Sequence, residues 1–521
     1  MAGRGFLALV MVSTLPACSS NGADARRLPS DASAGSDNSV QRPADASVGS
    51  DNSVLPPVDA SVGSDEGVVL PPTTTGGGPI IVLPDAAGRP GTSDACVHLE
   101  CQQKSCPSGS PTTLSGTAYA PNGTLPLYNV VAFVPNGAVD PFPKGVTCDR
   151  CGVVSGWPIV STLSDYSGRF TLSNVPAGKN VPLVLQIGRW RRQVIIPEVK
   201  ECQANEIADA NLTRLPRNRT EGDMPHVAVT TGGCDTMSCV IPKLGIDPSE
   251  FGVAGQDKAF IYYGGDLYAD GVPSMDPGHI ASYAGPPHMT AASTLWGNVT
   301  ELKKYDMAVL SCECTEAADN KGSVANQAVT DYLNAGGRVF GSDFQYVWYK
   351  NSTDPLLRGA MDIVGGAPGA ASPVTLDVSF PKGKALADWI KFVDPASTYG
   401  QLEIMELFDN LTVARPPAAQ VWGTSRGYDD LSQITNVIHP RIVTVNTPVG
   451  TPAEQQCGRG VHLDLHVSHI YNAEPTFNFP SECGNTMSPG EHALAFFFFD
   501  LASCIQDDRK PPEPPPPPPP R

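Results

Sequence analysis

The sequence predicts a multidomain fold, a β-sandwich followed by an α/β domain, set between an N-terminal stalk without a core and a proline-rich tail. Three observations predict it. Short alternating apolar runs broken by Gly, Pro and Asn fill residues 113–200, the pattern of half-buried strands stacked as a sandwich. Between about 226 and 505, strand and helix signals alternate instead, as in β-α-β units. The flanking segments are rich in Ser, Asp, Ala, Gly and Pro, a composition that cannot bury a core.

Residues 1–18 hold Arg4, an apolar run at 6–12 and Leu15-Pro16-Ala17-Cys18. A charged start and an apolar stretch too short to span a bilayer make an export leader, not a transmembrane helix. Cys18 after Leu-Pro-Ala resembles the bacterial lipobox, with Pro16 where that pattern carries a small residue. The resemblance implies that Cys18 is acylated and holds the chain to the outer or cytoplasmic membrane. The localisation expected is the cell envelope, facing the periplasm or the exterior.

Residues 19–95 form a disordered linker with a repeat at a period of 14: Asp31-Ala32-Ser33-Ala34-Gly35-Ser36-Asp37, then copies from Asp45 and Asp59. As a flexible coil it spans roughly 50 Å end to end. It lacks the spaced oxygen ligands of a calcium loop and reads as a solvated tether. A Cys-rich neck, 96–112, follows with Cys96, Cys101 and Cys106.

With 35 Lys+Arg against 53 Asp+Glu, the net charge of -18 repels phosphate backbones, so nucleic acid is excluded as a partner. The basic cluster Arg189-Trp190-Arg191-Arg192 reads as a solvated hairpin loop. Fourteen cysteines less Cys18 leave thirteen, which should mostly pair in an oxidising compartment, and the odd number keeps at least one out of a bridge. Cys148-Asp149-Arg150-Cys151 reads as a loop-stapling disulfide. Cys312 and Cys314 are poorly placed to bridge each other, so each is expected in a structural disulfide with a distant partner.

In the sandwich, strands are expected at 114–119, 130–134, 169–172, 181–187 and 193–196. Leu114-Ser115-Gly116-Thr117, Pro126-Leu127-Tyr128-Asn129-Val130, Thr162-Leu163-Ser164-Asp165-Tyr166-Ser167-Gly168-Arg169-Phe170-Thr171-Leu172 and Val175-Pro176-Ala177-Gly178 resemble the carboxypeptidase regulatory-like domain. That resemblance implies a non-catalytic Ig-like or transthyretin-like sandwich over 113–200, serving as an accessory module for a protein or carbohydrate ligand. Residues 135–158 are an insertion relative to its compact form.

In 226–505, apolar runs at 259–263 and 307–312 read as strands, and Val324, Ala328, Val329, Tyr332 and Leu333 mark a helix that Gly336-Gly337 stops before a strand at 338–341. A strand is expected at 460–467. Ser488-Pro489-Gly490-Glu491 is a capping box opening a helix through Leu494, Phe497, Phe498 and Leu501, covered on most sides by its run of four Phe. Tyr305-Asp306-Met307-Ala308-Val309-Leu310 and Tyr332-Leu333-Asn334-Ala335-Gly336-Gly337-Arg338-Val339-Phe340-Gly341 resemble the class I glutamine amidotransferase-like or ThuA-like fold, which implies a flavodoxin-like parallel sheet. In that family the nucleophile sits on the elbow after the strand following the Gly-Gly turn. Gly341-Ser342-Asp343-Phe344 fills that place, without a cysteine. Residues 506–521 are a polyproline tail, extended and without a core.

Two sets of residues carry candidate chemistry. His462, Asp464 and His466 stand at i, i+2 and i+4, which a strand puts on one face, and imidazole with carboxylate suits a divalent metal. The ThuA-like resemblance places a late active-site histidine at His466, and Asp343 occupies the elbow, so these two are the catalytic candidates. Neither a Walker A sequence nor Gly-x-Gly-x-x-Gly follows a strand, and no cofactor is implied. The eight βα units of a TIM barrel are not there, so a tryptophan synthase alpha chain activity is not supported. The first expectation is a binding or structural role at the cell surface. The alternative is a hydrolase or metal-dependent enzyme using Asp343, His462, Asp464 and His466.

Overall fold

The computed structural model describes residues 96–515 apart from 108, 149–153, 233, 236, 266–288, 368, 429–432, 469–482 and 503–504. The leader with Cys18, the repeats, residues 516–521, Cys151 and Cys504 lie outside the described residues. What is described is strand-rich, with several sheets and a smaller number of helices.

The N-terminal part contributes β1 (Thr113–Thr117), β2 (Val131–Pro135), β3 (Pro158–Leu163), β4 (Arg169–Ser173), β5 (Gly178–Ile187), β6 (Trp190–Val199) and β7 (Ala204–Glu206). They form two sheets, ordered β4-β1-β7 and β3-β2-β5-β6. Alternation sets the faces: in β4, Phe170 and Leu172 are buried while Arg169, Thr171 and Ser173 are exposed. Pairing between β5 and β6 runs from Gly178–Val199 to Ile187–Trp190.

A ten-stranded sheet follows, built from β8 (Val227–Thr230), β9 (Phe251–Val253), β10 (Phe260–Tyr263), β11 (Met307–Leu310), β12 (Arg338–Ser342), β14 (Val374–Leu376), β15 (Gln401–Leu402), β17 (Ala419–Tyr428), β18 (Ile434–Thr447) and β19 (Gly458–Leu463). The short β13 (Met361–Ile363) and β16 (Leu411–Ala414) pair separately. Across the large sheet the order is β15-β14-β17-β18-β19-β12-β11-β8-β10-β9. From β9 to β19 all neighbours are parallel, and beyond β19 all are antiparallel. Every residue of β8, β10, β11, β12 and β19 is buried, as parallel strands covered on both faces require.

Helix Ser323–Asn334 precedes β12, and Gly336 ends it at a φ of 112° that only glycine adopts freely. Helix Pro489–Ala502 opens on the reciprocal pair in which the Glu491 amide donates to Ser488 Oγ at 3.1 Å and the Ser488 amide donates to Glu491 Oε2 at 2.8 Å. Phe496, Phe497, Phe498 and Phe499 are all buried. Among the described residues no helix is long and apolar enough to cross a membrane.

Two sequence expectations are corrected here. The Arg189–Arg192 cluster is not a solvated loop: Trp190 is fully buried against Phe260, Phe498 and Phe499, Arg189 pairs with Asp306 at 3.0 Å, and Arg191 pairs with Asp223 at 2.8 Å. An indole of that size draws the hairpin inward, and the flanking guanidiniums stay in the interior because each finds a carboxylate. Cys148 does not staple its own loop. It bridges Cys457, fastening the segment after β2 to the start of β19. The remaining described bridges are Cys96–Cys101, Cys106–Cys202, Cys234–Cys314 and Cys239–Cys483.

One hydrophobic cluster runs from Leu114, Phe170 and Leu185 through Trp190 and Phe260 to Trp389, Trp422 and the phenylalanines of helix Pro489–Ala502. At its edge, Trp389 Nε1 of helix Pro381–Val393 donates to the Pro126 carbonyl at 2.8 Å. Lys382 and Arg459 are buried against Asp500 and Asp508, with ion-pair distances of 2.6 to 3.1 Å. Two cations facing two anions remove most of the cost of burying four charges.

Candidate functional site

The parallel strands β8, β11, β12 and β19 end side by side, at Thr230, Leu310, Ser342 and Leu463. The residues that follow each strand therefore meet at one edge of the sheet. Beyond β11 comes Cys312, beyond β12 Asp343, and beyond β19 Asp464 and His466. Close backbone approach makes this convergence feasible: a Cβ on Gly232 would stand 2.1 Å from the Cys312 carbonyl oxygen, and one on Gly265 would stand 2.0 Å from that of Thr231.

Asp343 sits at a φ of 42°, in the left-handed region that aspartate visits more readily than most residues but that costs a non-glycine residue energy unless its surroundings hold it there. They do. Asn410 Nδ2 donates to Asp343 Oδ1 at 2.9 Å, while Cys312 Sγ and His466 Nε2 lie 3.2 Å from Oδ2. Gln345, two residues on, ties the turn to the exit of β11 by donating to the Ser311 carbonyl at 2.7 Å. Gly341 permits so sharp a bend, since a Cβ there would meet Gln345 Cβ at 2.7 Å.

His466 lies between two carboxylates. Its Nδ1 is 2.5 Å from Glu406 Oε2, and its Nε2 faces Asp343. Burial lowers the imidazole pKa, but hydrogen bonds to Asp343, Cys312 and Glu406 outweigh it and raise it above the usual histidine range. Burial pushes the Cys312 thiol up to about 12, and the Asp343 charge adds to that. The Cys312 side chain is consequently a thiol that donates to Asp343. Burial likewise raises Asp235, which accepts from the amides of Val467 and Ser468 at 2.9 and 3.0 Å and so fixes the chain just after His466. The cluster reaches the surface at Glu406, whose side chain is about one-third exposed.

The i, i+2, i+4 set does not share one strand face, because β19 ends at Leu463. His462 is the last but one residue of the strand, packed between Tyr346 and Tyr349, and neither ring nitrogen has a hydrogen-bond partner. Its Nε2 is 3.9 Å from Asp464 Oδ1. Asp464 accepts from Asn410 Nδ2 at 2.8 Å and from the Asn410 and Leu411 amides at 2.9 and 3.2 Å, with the buried Arg441 at 3.5 Å. His466 leaves the strand path and aligns with Glu406, to whose carbonyl its amide donates at 3.0 Å. The Asn410 amide links Asp464 to Asp343, so three of the four sequence candidates, Asp343, Asp464 and His466, belong to one buried hydrogen-bonded network, with His466 and Asp343 in direct contact, while His462 packs beside it.

Three members of the network, Cys312, Glu406 and Asn410, are not among the candidate site residues that the sequence offers. Cys312 was expected in a disulfide, but it is buried and free, because Cys314 takes Cys234 as its partner and leaves Cys312 turned toward Asp343. The odd cysteine count signals a free thiol without saying which one. Glu406 and Asn410 belong to the connection between β15 and β16, where no motif marks them. Sγ of Cys312, a carboxylate oxygen of Asp343 and a ring nitrogen of His466 all lie within 4.8 Å of one another, a spacing that can hold a metal ion.

No protein-family model matches the chain, and no curated protein matches it. Among solved structures, it is similar to a ThuA-like protein from Bacteroides uniformis ATCC 8492, at 11% identity over 53% of this chain and 91% of that one, with a TM-score of 0.28. A cytoplasmic protein from Salmonella typhimurium is similar at 14% identity over 41% of this chain and 78% of that one, with a TM-score of 0.23. A chain of a cohesin–X-dockerin complex from Acetivibrio cellulolyticus is similar at 14% identity over 26% and 85%, with a TM-score of 0.15. Likenesses this distant assign the chain to no family.

Proposed function

We propose that the chain is an exported, lipid-anchored envelope protein, tethered through Cys18, whose α/β region is a hydrolase working at the cluster of Asp343, His466 and Glu406. The observation that carries this reading is the convergence of Cys312, Asp343 and His466 from the ends of three adjacent parallel strands. In open α/β sheets, ligands bind outside the carboxyl ends of the strands. Apart from the outermost β9, the parallel strands run β10-β8-β11-β12-β19, which in chain order reads 2-1-3-4-5 and supports a flavodoxin-like arrangement. Residues 113–200 are read as the carboxypeptidase regulatory-like sandwich, an accessory module for a protein or carbohydrate ligand.

In hydrolysis, water needs a base to take its proton and a polar site to hold the charge that develops. Glu406 and Asp343 flank His466 on its two nitrogens, which fixes the ring between a carboxylate about one-third exposed and a buried one. The test is turnover by the full-length protein of chromogenic esters, amides, phosphoesters and glycosides. One class should be hydrolysed, and Asp343→Asn and His466→Gln should each lower its rate by roughly 10²- to 10⁴-fold. If no class turns over, or if both variants keep the wild-type rate, the hydrolase reading is wrong.

A further inference from the structure

We infer that Cys312, Asp343 and His466 form a three-ligand site for a divalent cation of the zinc type. The inference rests on reading this cluster as the reactive centre and names what the centre holds. Cys312 Sγ and His466 Nε2 each stand 3.2 Å from Asp343 Oδ2. The edge of a tetrahedron with bonds of roughly 2.0–2.3 Å is about 3.3–3.8 Å, so these two separations open by a few tenths of an ångström to admit a cation, and the sulfur and the ring nitrogen themselves lie within 4.8 Å of each other.

The donor types select the ion. A thiolate, a carboxylate and an imidazole suit zinc, and three protein ligands with a fourth position left for water are the ligand count of catalytic zinc sites. Two anionic ligands balance the two positive charges, which a buried site demands. On binding, Cys312 loses the thiol proton of its hydrogen bond with Asp343 and His466 loses its Nε2 proton, both to solvent, and the Cys314 amide, 3.4 Å from Sγ, is already placed to donate to the resulting thiolate.

Independent observations point the same way. Histidine ligands ordinarily give their other ring nitrogen to a carboxylate, and Glu406 Oε2 holds Nδ1 of His466 at 2.5 Å so that Nε2 faces inward. Asn410 occupies Oδ1 of Asp343 and leaves Oδ2 to the cluster. Ten of the described cysteines are paired and Cys312 alone is not, although Cys314 beside it is bridged. An ion held by these three residues would leave a position open to water and would supply Lewis-acid chemistry by lowering that water's pKa toward neutrality.

The experiment is metal analysis of the full-length protein by mass spectrometry, together with Co(II) titration of metal-stripped protein and the same chromogenic substrates. Expected are one bound ion per chain and, with Co(II), a thiolate-to-metal charge-transfer band in the near ultraviolet. Cys312→Ser abolishes the band, and Glu406→Gln, which keeps all three ligands, weakens binding by roughly 10- to 100-fold. Far-UV circular dichroism identifies a variant that fails to fold, and Glu406→Gln, at the surface of the cluster, then carries the test. No stoichiometric ion and no thiolate band in the wild-type protein overturn the inference. Hydrolysis without metal overturns it while leaving the hydrolase reading intact, whereas metal without hydrolysis keeps the site and removes that reading.

Discussion

At the scale of single residues, the molecule keeps charges inside only where they are paired. Lys382 is the clearest case, with its ammonium 2.7 Å from Asp500 and 3.1 Å from Asp508 in the interior. Lys382→Met should destabilise the fold by about 3–5 kcal/mol, since it leaves two buried carboxylates facing Arg459 alone. Urea denaturation checks this, and a loss below 1 kcal/mol would mean the cluster is hydrated. Glu221 offers a pH signature. The Arg214 guanidinium, hydrogen-bonded to both carboxylate oxygens at 2.6 and 2.8 Å, lowers its pKa from 4.5 to about 2 against the opposing effect of burial. A depressed carboxyl stabilises the fold fully above its unfolded pKa and loses that contribution as pH falls through its folded one. The stability gap between wild type and Arg214→Met should therefore be constant above about pH 5 and narrow between pH 4.5 and 2. A gap independent of pH in that window would show that the pair contributes nothing through Glu221.

At the scale of elements, the exits of parallel strands create the site, and glycine makes the exits pass. Gly232→Ala puts a Cβ 2.1 Å from the Cys312 carbonyl, and backbone cannot yield cheaply, so a loss of at least about 1–3 kcal/mol is expected by thermal denaturation. An unchanged melting temperature would place β8 farther from Cys312 than described. The helix at Ser323–Asn334 and its Gly336 stop, β11, β12 and the capped helix Pro489–Ala502 are legible in the sequence, because each rests on local periodicity or a local cap. The antiparallel half of the sheet is not. β18 contains Asn436, His439, Pro440 and Arg441, and its pairing with β17 shifts register three times, so no alternation announces it. His466 and Asp343 are legible as candidates by their places after strands. Their partners Glu406 and Asn410 are not, because only the tertiary fold carries that connection over the strand ends.

At the scale of the whole molecule, the two sheet systems share one core, which their sequence patterns, each complete in itself, do not announce. Trp190 belongs by chain position to the β5–β6 hairpin, yet it packs on Phe260, Phe498 and Phe499. Trp190→Ala should cost about 3–5 kcal/mol. Because its loss affects both sheet systems, calorimetry should still show residues 96–515 melting in a single transition, whereas two resolved transitions would show that the β1–β7 sheets fold apart. The Cys148–Cys457 bridge spans 309 residues of chain and reinforces the same union. On this frame the strand ends are rigid, and rigidity is what a reactive centre of Cys312, Asp343 and His466 needs. The most direct measurement is anomalous diffraction at the zinc edge from crystals of the full-length protein. The account predicts one peak within about 2.0–2.3 Å of Cys312 Sγ, Asp343 Oδ2 and His466 Nε2. A cluster with no peak, its thiol hydrogen-bonded to Asp343 in a crystal grown with zinc, would contradict it.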